Sequence, residues 1–242
     1  MDYIVVIGIF VLIFAYAVQG ISGFGKSLVA TPILSFFIPA NEVIAIMILT
    51  GLLANFYMLL KTFRYSNIRK IWVMILLGIG GVMTGVRVLS FVPVKELKIA
   101  MGVMVVISAI LLASGYKLRI KEGHFAYGAA GLTSGFLSGL LSMGGPAIVL
   151  FLQNQDHEKH EFRGNLTLFF FFTGIFAIAS LFMNHLVTSD VISKSLFFLP
   201  ASLIGVFLGN YLSHKINEKV FKKIIILILF LAGISAVITS FL

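Results

Sequence analysis

Residues 20–27 read Gly-Ile-Ser-Gly-Phe-Gly-Lys-Ser, a fit to the pattern G-x-x-x-x-G-K-[ST], in which backbone N–H groups cradle phosphates. That chemistry needs a buried strand before the loop and a soluble helix after it. The chain supplies neither. Residues 3–19 form a mostly apolar run too long for a buried strand, and the following "SLVATPILSFFI" is apolar as well. A second version of the stretch, "GLLSMGGP" at residues 139–146, keeps the glycines but lacks the lysine and the hydroxyl residue after it. A nucleotide site is therefore excluded, and what remains is a glycine-rich backbone break that occurs twice.

Such breaks have a chemistry of their own. Gly25 and the pair Gly144-Gly145 open conformations closed to other residues, and Pro146 suits the first turn of a helix, where its missing N–H is not needed. Each break reads as the start of a half-helix inside a membrane, its free N–H groups and positive dipole end facing the centre. Backbone of this kind is tolerated at membrane depth only where it is buried in protein or lines a cavity. Two such N-termini meeting would make an anion site, with Gly23, Phe24, Gly25, Lys26 and Ser27 on one side and Ser142, Met143, Gly144, Gly145 and Pro146 on the other.

Lys26 is the one formal charge well inside the apolar profile, and the nine carboxylates all fall in loops or at segment ends. A small anion is its natural counter-charge, against the plainer reading that it snorkels or bonds a helix-end carbonyl. Ser22 and Ser138 also flank the breaks, either to donate to an oxyanion or to bond their own helix. Asn55 and Asn165 sit within apolar segments, facing a cavity or linking helices. Arg163 starts a segment, as an orientation charge or as a gating or steering group for the substrate. No cysteine is present and the five histidines lie at loops or segment ends, so no metal or cofactor is expected.

The elements that must position these residues follow from composition. Of 242 residues 60% are hydrophobic and 11% charged, against about a quarter charged in a soluble domain. Apolar segments occupy roughly residues 3–19, 25–38, 42–60, 71–91, 97–115, 124–141, 145–154, 162–183, 191–212 and 219–241. Most are long enough to cross a hydrocarbon core of roughly 30 Å, whereas 25–38 and 145–154 are short. The first segment reads as retained, with no basic leader or cleavage site. The chain is expected to be a polytopic membrane protein whose partners are the lipid bilayer and a small anion. Its net charge of +9 sits in short loops and reads as an orientation signal, with no nucleic-acid partner.

The chain is also duplicated. A shift of 119 residues lays Gly20 on Gly139, Gly25 on Gly144 and Glu42 on Glu161, and Gly81-x-x-x-Gly85 matches Gly205-x-x-x-Gly209 at a slightly larger shift. The repeats are residues 1–118 and 119–242. Loops 61–70, 116–123, 155–163 and 213–223 hold thirteen basic residues and the alternate loops only Lys95, Lys98 and Lys194, so the first group is cytoplasmic. Corresponding loops then lie on opposite sides, and the halves are inverted. The fold class expected is all-α: a transmembrane helix bundle of two inverted-topology repeats, each a broken or re-entrant hairpin plus three spanning helices, with both termini outside. This arrangement is typical of secondary transporters, and the spacings Gly81/Gly85, Gly205/Gly209 and Gly131/Gly135/Gly139 read as close helix packing.

The glycine break followed by "VATPIL" and "EVIA", with its second version "GLLSMGGPAIVLFL" followed by "FRGNL", resembles the two signature regions of the TauE/SafE sulfite exporter family, also called TSUP. The likeness runs over nearly the whole chain. It implies a secondary transporter for sulfite, organosulfonates or similar oxyanions in a bacterial-type inner membrane. The matching motif positions are Gly20, Gly23, Gly25, Pro32, Gly139, Gly144, Gly145, Pro146 and Arg163. Lys26 and Ser142 depart from it, standing where members commonly carry a small or apolar residue and a glycine. The expected mechanism is alternating access around an anion near the midplane. The rivals are an anion channel on the same scaffold, a carrier of another small anion, a membrane enzyme, for which no nucleophile–base or metal constellation is found, and a scaffold that transports nothing. A homo-oligomer is compatible with the sequence.

Overall fold

In the computed structural model, residues 2–114, 123–153, 159–213 and 215 are described. The apolar segment 219–241, the basic residues of loop 116–122 and the lysines at 219, 222 and 223 lie outside the described residues. Every regular element among those described is helical: α1 (Asp2–Ser22), α2 (Lys26–Leu34), α3 (Ala40–Thr62), α4 (Ile68–Leu89), α5 (Val94–Ser114), α6 (His124–Leu141), α7 (Gly145–Leu152), α8 (Lys159–Met183) and α9 (Ser189–Leu212), with a 3₁₀ turn at Phe63–Tyr65. The stretches Val5–Ser22, Ala40–Tyr65, Ile68–Leu89, His160–Met183 and Ser189–Leu212 are long and apolar enough to cross a membrane. Large apolar side chains such as Phe10, Leu76, Phe91 and Leu196 point outward, as a lipid-facing surface requires and a water-facing one does not. The protein is a multi-pass helical membrane bundle.

Two helix pairs pack most closely, α4 with α6 and α1 with α9, and glycine explains both. Cβ atoms added at Gly131, Gly135 and Gly139 would overlap the carbonyls of Met74, Gly78 and Val82. In return, Cβ atoms at Gly81 and Gly85 would overlap the carbonyls of Leu132 and Phe136 on α6. On the other side, Gly205 and Gly209 lie against the carbonyls of Ile13 and Ala17, and a Cβ at Gly20 would come within 2.6 Å of the Asn210 nitrogen. Small residues let backbones meet where lipid offers no hydrophobic drive for helix association.

The short helices are set by their starts. α2 has 9 residues and α7 has 8, roughly 12–14 Å each, less than half a bilayer core. Gly23 and Gly25 are left-handed, at φ 87° and 94°, and Gly25 is the residue from which α2 springs. Before α7 the left-handed residue is Ser142, at φ 60°. Gly144 is right-handed, at φ −71°, so the conformational freedom expected of Gly144-Gly145 is not what they supply. They are small because they are crowded: a Cβ at Gly144 would overlap Ser138 Oγ and the Ser134 carbonyl, and one at Gly145 would meet the Phe24 ring at 3.0 Å. Gly20 and Gly139 likewise lie inside α1 and α6 as packing residues, not in the breaks.

Candidate functional site

The two breaks face one another. Ser27, in the first turn of α2, and Ser142, just before α7, bring their hydroxyl oxygens to 3.0 Å. Around this contact lies a cavity of about 70 Å³, well below the roughly 300–1,000 Å³ of drug-sized ligand sites and suited to a small ion. Its walls come from both breaks (Phe24, Gly25, Lys26 and Ser27; Ser142, Met143, Gly145 and Pro146), from α1 and α3 (Gln19, Ile48 and Asn55), and from α6 and α8 (Ser138, Phe170 and Thr173).

Both half-helices begin at this cavity without a side-chain cap. Their first N–H groups are therefore free of that competitor, and the positive ends of both helix dipoles meet across it. Lys26 is the only charged residue in the lining. Its Nζ donates to the Met47 carbonyl at 2.9 Å and to Tyr16 OH at 3.4 Å, and it lies 5.0 Å from the centre of the Tyr16 ring. These partners are neutral, so the ammonium carries an uncompensated positive charge into the wall of the cavity. The carbonyl it bonds belongs to the middle of α3, not to a helix end.

The expected residues separate into two groups. Phe24, Gly25, Lys26, Ser27, Asn55, Ser142, Met143, Gly145 and Pro146 line the cavity. Gly23 and Gly144 shape the breaks next to it. Asn165 is elsewhere: it is fully buried and its Oδ1 accepts the Asn67 N–H at 2.8 Å, which ties the start of α8 to the turn before α4. Arg163 is buried too, and its guanidinium donates to the Gly20 carbonyl at 2.8 Å and to Asn210 Oδ1 at 3.3 Å. It thereby holds the last turn of α1 against α9, outside the cavity lining. Ser22 spends its hydroxyl on the carbonyls of Val18 and Phe24 at 2.8 and 2.7 Å, fixing the first break from within.

Gln19 was not anticipated. Its Nε2 donates to Asn55 Oδ1 at 2.6 Å, joining the end of α1 to α3 at the cavity wall. The available signal was a polar residue inside an apolar segment one position before a glycine break. Thr173 and Phe170 carried no comparable signal, since a threonine or phenylalanine in an apolar helix packs by default. Among the described residues, no group of three or more acidic, histidine or cysteine side chains converges as a metal site would require.

A profile described as "Sulfite exporter TauE/SafE" matches residues 8–236, which include both breaks and every residue lining the cavity. Searches of curated proteins and of solved structures give no match. With the profile spanning nearly the full length and the two breaks closing on one small, positively charged cavity, the chain belongs to the TauE/SafE sulfite exporter family of membrane transporters.

Proposed function

We propose that this protein carries a small sulfur-containing oxyanion, sulfite or a small sulfonate, across the bacterial inner membrane by alternating access, with the anion held between the N-termini of α2 and α7. The observation that carries this reading is the convergence of two half-helix starts on a cavity whose only charged lining residue is Lys26. An oxyanion there would accept hydrogen bonds from backbone N–H groups, from the Ser27 and Ser142 hydroxyls and from the ammonium. Charge-assisted bonds of this kind are stronger than the neutral ones they replace.

The same proposal includes two inverted repeats, residues 1–118 and 119–242, with both termini outside. Its support is reciprocal packing: the first helix of each half lies on a long helix of the other, α1 on α9 and α6 on α4. Rocking of helix groups about a fixed central site would expose the cavity to each side in turn.

The test is uptake of radiolabelled sulfite and of a small sulfonate into proteoliposomes, for the native chain and Lys26→Ala. Saturable uptake that is accelerated by internal unlabelled anion and lost in Lys26→Ala is expected. Flux without counterflow would point to a channel. No flux for any anion in a panel, with folded protein, would overturn the anion reading.

A further inference from the structure

Position 51 is glycine, and a Cβ built there would overlap Lys26 Nζ and lie 3.1 Å from its Cε. The ammonium thus occupies a space on α3 that only a residue without a side chain leaves open. Around it stand the Met47 carbonyl, one helical turn before Gly51, and Tyr16 of α1. Tyr16 is itself fully buried, and its hydroxyl is 2.7 Å from Thr50 Oγ1, which donates to the Ile46 carbonyl at 2.7 Å. With the Thr50 proton spent on Ile46, the Tyr16 proton must go to Thr50. The phenol oxygen is then left to accept from Lys26. The hydrogen-bond order runs one way, from ammonium to phenol to threonine to backbone.

We propose that Gly51, Tyr16 and Thr50 form a resting slot for the Lys26 ammonium, a positioning device that holds the charge beside the cavity while it is empty and releases it toward a bound anion. Neutral oxygens make a lone, partly buried ammonium tolerable without neutralising it. An anion in the cavity offers a charged acceptor and competes for the same protons. A carboxylate in place of Tyr16 would hold the lysine permanently, whereas a phenol and a carbonyl hold it weakly enough to let go. This inference rests on the anion reading for its second half only; the slot itself stands on geometry.

The experiment is a double-mutant cycle of thermal stability on the full chain in detergent, with Gly51→Ala and Lys26→Ala singly and together, each with and without sulfite. Gly51→Ala is expected to be less favourable in the native background, where the Lys26 ammonium must leave its place, than in the Lys26→Ala background. In the Lys26→Ala background it should be neutral or stabilising, because the next atom a Cβ would meet is Tyr16 OH at 3.8 Å and alanine favours helix over glycine. Equal effects on melting temperature in both backgrounds would overturn the slot. Sulfite should stabilise Gly51→Ala more than the native protein, since no resting site competes for the ammonium; an equal, non-zero stabilisation would overturn the release step. Should sulfite stabilise neither protein while the cycle is non-additive, the slot is supported and it is the substrate reading that falls. Tyr16→Phe supplies a control that keeps the volume: it should reproduce the larger sulfite response without the steric loss, and a response identical to that of the native protein would count against the phenol's part in the slot.

Discussion

Ser27 and Ser142 lie 115 positions apart in the chain, and their hydroxyl oxygens stand 3.0 Å from each other. Each belongs to a different break, and no other hydroxyl pair joins the starts of α2 and α7 among the described residues. The contact measures how closely two interrupted helices have been brought end to end. Under the proposed function, an oxyanion would part the pair and take two hydrogen bonds at once.

Replacing Ser142 separates its backbone role from its hydroxyl role. At φ 60° a β-branched residue is strained by roughly 1–2 kcal/mol, so Ser142→Val should lower thermal stability, whereas Ser142→Gly should keep it. Sulfite uptake should fall in both, because both lose the hydroxyl. Normal uptake by Ser142→Gly would show that the hydroxyl is not used.

Lys26→Met should unlink stability from transport. Replacing a fully buried ion pair by apolar chains of similar size is commonly neutral or stabilising by about 1–4 kcal/mol, and the effect for this partly exposed, unpaired lysine is smaller. Melting temperature should hold or rise while saturable anion uptake disappears. A large drop in stability with transport retained would mean that the lysine is structural.

Arg163→Lys should act on the frame and not on the cavity. A lysine cannot reproduce a guanidinium that reaches the Gly20 carbonyl and Asn210 together. Leaving a buried carbonyl without its partner costs about 1–3 kcal/mol, or several degrees of melting temperature. The expected kinetic sign is a changed maximal rate with KM for the anion little altered, readable in proteoliposome kinetics. A selective rise in KM would place Arg163 in anion recognition instead.

Gly209→Val should fail at assembly. Its Cβ would overlap the Ala17 carbonyl, a backbone atom with no rotamer to yield. Overpacking of this kind costs about 1–3 kcal/mol or more. Size-exclusion profiles of a fluorescent fusion should show aggregation or loss of the monodisperse peak, and a native profile would mean that the α1–α9 contact is looser than the structure has it.

Much of this architecture is legible in the sequence because bilayers impose simple rules. Segment lengths, the two short segments and the glycine stripes follow from hydrocarbon thickness and from the need for helices to touch. The meeting of the two breaks follows from their being helix starts that need a shared interior. Less legible were the individual glycines. Gly20 and Gly144 look like hinge residues in one dimension, yet one packs against α9 and the other under Ser134 and Ser138, and only the contacts tell freedom from crowding. Arg163 and Asn165 each kept two readings for a related reason: a buried polar residue near a break can face a cavity or link helices, and their bonds to Gly20 and Asn67 depend on helices distant in sequence. Gly51 was invisible, since nothing in its own neighbourhood reveals that a lysine from another helix ends there.

The pairing of α1 with α9 sets a timetable for biogenesis. α1 is the first described helix to be synthesised and α9 the last, yet they meet closely through glycines, with Gly20 against Asn210 and Gly209 against Ala17. Arg163 of α8 can take the Gly20 carbonyl before α9 is made, but until α9 has been inserted the face of α1 that packs on Gly205 and Gly209 has no partner. α6, by contrast, finds α4 already in place. The α4–α6 contact can therefore form as soon as α6 is inserted, whereas the α1–α9 contact waits for α9. Nascent chains interrupted before α9 should be the ones that membrane quality control recognises, with α1 as the exposed signal.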